Sequence, residues 1–158
     1  MVDEYAAQMA DLVLRLFELC QERQMYFAAQ YGIRVAEFRC LRMLLKKDHV
    51  PVKELASGMH LTPGRLTRIV DELKKRGMVD RVEPETDRRM KIISLTKDGR
   101  KLAQQMEEDY LKMHGQILSY LEEKNLDPYI ELLQKLLVAM EKWSADHLGK
   151  KHGSVAHR

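Results

Sequence analysis

Two cysteines, four prolines and one tryptophan in 158 residues leave this chain without the means for several kinds of fold. Cys20 and Cys40 lack C-x-x-C spacing and are too few for a disulfide framework in a chain this long, so a reducing compartment is expected. No apolar run reaches membrane length and no secretory h-region is present, which predicts a soluble, cytoplasmic protein with no membrane contact. There is no G-x-G-x-x-G, no P-loop and no H-E-x-x-H, and the serines lack a nucleophile-elbow context. The histidines (His49, His60, His114, His147, His152 and His157) form no i, i+4 pair on a helix. An enzyme is therefore not expected, nor is a cofactor or a metal. Repeats are absent, and the polar stretch 149–158 reads as a frayed tail.

What is present suits one domain over 1–158, since 45% of the residues are hydrophobic and nothing marks a second core. The formal net charge of +3 says little, but its distribution is uneven. Residues 61–101 hold 12 Lys/Arg against 7 Asp/Glu, whereas 102–158 hold 7 against 9. Positive charge gathered on one third of the chain suits a nucleic-acid contact rather than a nonspecific coating.

That basic third has an ordered pattern. Thr62 is a good N-cap and Pro63 sits at the first helical position, where its missing N–H costs nothing. Leu66, Ile69, Val70 and Leu73 then recur at i, i+3, i+4 and i+7, forming one inward stripe. Gly64, Arg65, Thr67 and Arg68 are left on the other side, near the helix N-terminus, where a recognition helix meets base edges and phosphates; Gly64 allows a close backbone approach. Lys74, Lys75 and Arg76 favour the negative end of the helix dipole, and Gly77 can take the left-handed conformation that ends it. Upstream, Val52, Leu55, Ala56 and Met59 form the inward face of a preceding short helix, and His60 falls in the turn between the two as a surface residue.

Val79 and Val82 belong to a short strand ended by Pro84, and Met90–Leu95 to a second strand with β-branched residues. Asp87, Arg88 and Arg89 fall at the loop end of this two-stranded ribbon, where an arginine can reach a narrow minor groove. A lone charged hairpin is usually a solvated turn. After a capped helix with an Arg/Thr outer face, it reads as the wing of a winged helix-turn-helix that binds double-stranded DNA.

The block from Leu61 to Val79, followed by the D-R-R-x-x-x-x-x-L-T-x-x-G run from Asp87 to Gly99, resembles the MarR family of bacterial winged-helix regulators. The resemblance covers essentially the whole chain. It implies a homodimeric transcriptional regulator, usually a repressor, released from a palindromic operator by a small molecule or by cysteine oxidation. It also implies that Asp87 and Arg89 match a partly structural wing pair, which puts Arg88 ahead of Arg89 as the groove-inserting residue. A zinc-sensing variant of the family would need a site such as His114 with Glu107 or Glu108 and Cys40; generic helix polarity explains these residues better.

The expected fold is mainly α with a small two-stranded β-wing: a winged helix-turn-helix over 35–96, flanked by long dimerisation helices within 1–34 and 97–148. The first helix, from about Asp3 to Tyr31, carries two apolar faces, Met9/Val13/Leu16/Phe17/Cys20 and Leu12/Leu19/Tyr26. One can pack within its own subunit; the other needs a partner. Thr96 caps a long helix bearing Leu102, Met106, Tyr110, Met113, Ile117 and Leu121. Asp127 caps the last helix and Pro128 opens it, ahead of Ile130/Leu133/Leu137/Met140 and Leu132/Leu136/Trp143. Two wide-faced helices at opposite ends of a short chain are satisfied by two-fold pairing. A small organic effector would enter near Tyr26, Phe38, Met43, Tyr110 and Met113, an apolar set. Cys20 and Cys40 both sit among apolar neighbours, so burial is expected to raise their pKa values and leave them structural. Two rival readings remain at this level: a DNA-binding activator or architectural protein without an effector, and a helical protein-interaction adaptor.

Overall fold

The computed structural model describes residues 2–47, 49–82, 91–121 and 124–148. Among the described residues, six helices and three short strands follow in the order α1 (Val2–Gln30), α2 (Val35–Lys46), β1 (Val50–Pro51), α3 (Val52–Gly58), α4 (Pro63–Lys75), β2 (Val79–Val82), β3 (Ile92–Leu95), α5 (Lys97–Ser119) and α6 (Asp127–His147). They fall into two compact units, residues 1–113 and 114–158.

The first unit holds the core. Leu66, Val70 and Leu73 of α4 are fully buried, as their spacing requires, against Leu55 and Ala56 of α3 and Phe38, Leu41 and Leu44 of α2. Ile69, the fourth member of the stripe, is half-buried. Gly77 adopts φ +69°, so the chain reverses after α4 at the residue best suited to it.

The sheet has three strands rather than two, in the order β1-β3-β2, all antiparallel. Val50 and Pro51 pair with Ile93 and Ile92, and Val79–Val82 pair with Leu95–Ile92. Two residues are too few to show alternation, so β1 has no signature in the sequence. Pro51 suits a short outer strand, and the next free donor, the Val52 N–H, bonds the Lys91 carbonyl at 2.9 Å.

The first helix departs from expectation. Met9, Leu12, Leu16, Phe17, Leu19 and Tyr26 are exposed, and Val13 and Cys20 are half-buried. The residues of α1 that enter the core are Phe27 and Ala28, next to its C-terminus. A helix of 29 residues is about 43 Å long and the 12-residue α2 about 18 Å, so α2 covers only part of it. Phe27, Tyr31, Phe38 and Tyr110 form an aromatic cluster with centroids 5.2–5.3 Å apart, within the range of favourable tilted pairs.

Thr96 caps α5 as expected, accepting the Gly99 N–H at 3.0 Å. In the second unit, Asp127 is the first residue of α6 rather than its cap. Leu126 holds the cap position, and Asn125 Oδ1 accepts the Asp127 N–H at 3.1 Å. No described residue of α6 is buried.

Candidate nucleic-acid interface

Helix α4 begins as its sequence dictates. Thr62 is extended at φ −69°, ψ 150°, and its hydroxyl accepts the Arg65 N–H at 3.4 Å; Pro63 follows in the first turn. Thr62, Pro63, Gly64, Arg65, Thr67 and Arg68 are all exposed, while Leu66 between them is fully buried. One side of the first two turns thus presents two guanidinium groups around a glycine, with space for a Cβ open at Gly64. The Thr67 hydroxyl donates to the Pro63 carbonyl at 2.9 Å, so at rest its proton is committed to the helix and its oxygen faces outward as an acceptor. His60, in the turn before α4, is exposed and holds φ +54°, an uncommon conformation for a residue with a Cβ. Asp87, Arg88 and Arg89 lie outside the described residues.

Two residues that the sequence reading missed hold α4 in place. Arg81 of β2 reaches α4, where its Nη2 pairs with Asp71 at 2.7 Å and donates to the Thr67 carbonyl at 3.3 Å. Strand alternation puts Arg81 on the same face as buried Val79; a cation on the inward face was the available signal. Glu37 of α2 is 4% exposed, accepts the Arg34 N–H at 2.8 Å, and has Arg76 Nη1 at 3.6 Å. Helix α4 is thereby tied along its middle to β2 and at its C-terminus to the start of α2.

The final part of the D-R-R…L-T-x-x-G run serves the framework. Thr96 donates through its hydroxyl to the Gly77 carbonyl at 2.6 Å and through its N–H to Met78 O at 3.1 Å, fastening the start of α5 to the turn after α4. Further along α5, Tyr31 donates to Asp109 at 2.6 Å, and Arg42 pairs with Glu107 while lying 4.5 Å above the Tyr110 ring. The bond from Tyr31, with those from Gln105 and Lys112, holds Asp109 down at about 2. Burial, and then Asp109, pushes Tyr31 up to about 12.

Of the residues expected near an effector, Phe38, Met43 and Tyr110 line one cleft of about 210 Å³ together with Arg39, Arg42 and Lys46. Met113 is half-buried against the core, and Tyr26 is 69% exposed and away from that cleft's lining. The cysteines differ from each other. Cys40 is fully buried, and burial, then Glu37, pushes its thiol up to about 12. Cys20 is not buried as expected: it accepts a hydrogen bond from Arg23 at 3.1 Å and opens on a cleft of about 480 Å³ with Phe17, Met25 and Arg39. The reason is again that α2 covers only part of α1.

A sequence model described as the MarR family matches residues 31–90, the segment that holds the α2–α4 core and this surface. Over this segment the chain resembles the MarR family. Among its relatives is the uncharacterized HTH-type transcriptional regulator YhbI of Bacillus subtilis, 27% identical over 124 residues, spanning 78% of this chain and 77% of the relative. Another is the HTH-type transcriptional repressor MdtR of the same organism, 24% identical over 148 residues, spanning 92% and 96%. A MarR family protein from Bacillus stearothermophilus has the same fold, with a TM-score of 0.79 at 23% identity over 89% of this chain and 99% of that one. By these likenesses the chain is a DNA-binding transcriptional regulator and not an enzyme. No described helix is long and apolar enough to cross a membrane.

Proposed function

We propose that this regulator is a homodimeric repressor of a pseudo-palindromic operator, released by a small organic effector. The observation that carries the DNA-reading part is the start of α4, where Gly64, Arg65, Thr67 and Arg68 are exposed while Leu66, Val70 and Leu73 are sealed in the core. In this reading the surface enters the major groove, Thr62 and Pro63 set its approach, and Arg88, supported by Asp87 and Arg89, reaches the adjacent minor groove. Pairing is supported by the apolar side chains that α1 and α6 leave exposed, including Leu12, Leu16, Leu132, Leu133, Leu137 and Trp143. A second copy supplies the same surface to itself, as two-fold symmetry requires. In this division, 1–34 and 97–148 form the dimerisation region, 35–96 the DNA-reading lobe and 149–158 a tail. The name of the relative MdtR favours repression. The cleft beside Phe38, Met43 and Tyr110 is the entry for an effector, because it sets these apolar side chains beside the cations Arg39, Arg42 and Lys46, which can orient a bound molecule.

Selection from a random duplex pool, followed by binding at rising salt, tests this reading. The expected product is an inverted repeat with half-sites about one helical turn apart and a steep salt dependence. Equal binding to shuffled sequence overturns it. Sedimentation of Leu137→Glu tests the pairing: the side chain is 58% exposed, so the chain keeps its fold and becomes monomeric. A dimer that survives the charge places the interface elsewhere.

A further inference from the structure

Along α4, from Arg68 in its middle to Lys75 at its C-terminus, lies a cleft of about 410 Å³ between this helix and the beginning of α2. Ile69 and Ala36 line it together with three cations (Arg34, Arg68 and Lys75) and three acids (Glu37, Asp71 and Glu72). Counted by residue type the cleft is neutral, but the pairing is not even. Glu37 is engaged by Arg76 and the Arg34 N–H, Asp71 by Arg81, and Glu72 by Lys75 at 2.7 Å, an ion pair that lowers the Glu72 pKa. Every acid is matched, and two of the matching cations, Arg76 and Arg81, lie outside the lining. Arg34 and Arg68 are exposed and have no ion pair among the described residues. Counted with Arg76 and Arg81, five cations face three acids around the cleft; Arg34 acts on Glu72 only at longer range, behind its ion pair with Lys75, so the cleft keeps an excess of positive charge with one exposed guanidinium on each wall.

We propose that Arg34 and Arg68 form a phosphate grip, holding the DNA backbone along the flank of the recognition helix while Arg65 reads bases. The ligand is a duplex phosphate because Arg68 is shared with the surface proposed to enter the major groove, and a helix lying there has the groove's phosphate rim along its flank. A planar guanidinium matches phosphate geometry with two parallel N–H donors. The inference rests on α4 being the reading helix. It adds a DNA-binding group at the start of α2, which lies outside the helix-turn-helix and the wing, and it gives Arg68 to the backbone rather than to a base edge.

Arg34→Gln tests it cleanly, because the structural bond at this position comes from the main-chain N–H to Glu37, which the substitution keeps. Arg34→Gln, Arg34→Lys and Arg68→Gln are titrated, with the wild type, against the selected inverted repeat and a shuffled duplex of the same composition, between about 50 and 200 mM salt. The expected result is that Arg34→Gln and Arg68→Gln weaken binding to both duplexes by a common factor. The slope of log affinity against log salt becomes shallower by about 0.9 for each phosphate that the variant leaves unneutralised. Arg34→Lys restores most of the slope, and melting temperatures stay at the wild-type value. Unchanged slopes and affinities overturn the grip while leaving α4 as the reading helix, and so does a weakening confined to the selected sequence. If the wild type itself fails to bind duplex DNA, the proposed function falls with it.

Discussion

Gly99 of α5 sits directly beneath the carbonyl of Met78: a Cβ at Gly99 would stand 1.8 Å from that oxygen and 2.7 Å from its carbon. The approach is backbone against backbone, so no side chain can swing aside to relieve it. Together with the Thr96 bonds to Gly77 and Met78 it makes the L-T-x-x-G segment a joint between the turn after α4 and the start of α5. Gly99→Ala is expected to destabilise the fold by about 3 kcal/mol through overpacking, read as a lower urea midpoint at unchanged slope. Gly64→Ala is the control, since nothing lies within 4 Å of its Cβ position. Its stability should be unchanged or higher, while DNA affinity falls if the backbone approaches DNA closely there. Equal effects of the two substitutions on stability would refute the joint.

Arg65 and Arg88 should fail differently. Arg65→Ala is expected to cost about 1–3 kcal/mol on the selected operator and far less on shuffled DNA, because a bidentate base contact discriminates sequence. Arg88→Ala should lose affinity mainly where flanking A·T pairs narrow the minor groove. Anisotropy titrations on operators with exchanged flanks separate the two, and an unaffected Arg88→Ala excludes the wing contact.

The Tyr31–Asp109 bond links stability to pH at both extremes. Asp109, held near 2 against an ordinary 3.8, contributes stability that is present above pH ~4 and lost as pH falls through about 2. Tyr31, raised from 10.0 to about 12, contributes stability that is present below pH 10 and lost as pH rises through about 12. Tyr31→Phe should lower the melting temperature at pH 7 and flatten both limbs of the stability profile. Parallel profiles for mutant and wild type would show that the bond does not persist in solution.

Cys20 and Cys40 should separate under a thiol reagent. Native protein is expected to react once per chain, at half-buried Cys20, and a second time only on unfolding, since Cys40 is fully buried with its pKa pushed up to about 12. Labelling of Cys20→Ser under native conditions measures this directly: rapid modification of that variant would mean that the core around α2 opens.

Much of the fold is legible in the chain because its determinants are local. The Leu66/Val70/Leu73 stripe, the Thr62 cap with Pro63 beside it and the turn at Gly77 need only neighbours within about two helical turns, and helical periodicity makes them readable. The exposed start of α4 follows from the same periodicity, since whatever leaves the stripe faces outward. Tertiary structure decided what depends on distant partners. Tyr31 meets Asp109 across 78 positions, Arg81 finds Thr67 fourteen positions back, and β1 exists only because β3 is there to pair with it. Burial along α1 is decided in the same way: amphipathicity marks which side chains could be covered, but the reach of α2 determines that Phe27 and Ala28 are covered and that Cys20 remains accessible. Composition made the α2–α4 cleft neutral; only the pairing of its acids with cations outside the lining leaves it an excess of positive charge and leaves Arg34 and Arg68 without an ion pair among the described residues. A local pattern fixes the direction of a side chain, whereas its partner is set by the packing of elements far apart in the chain.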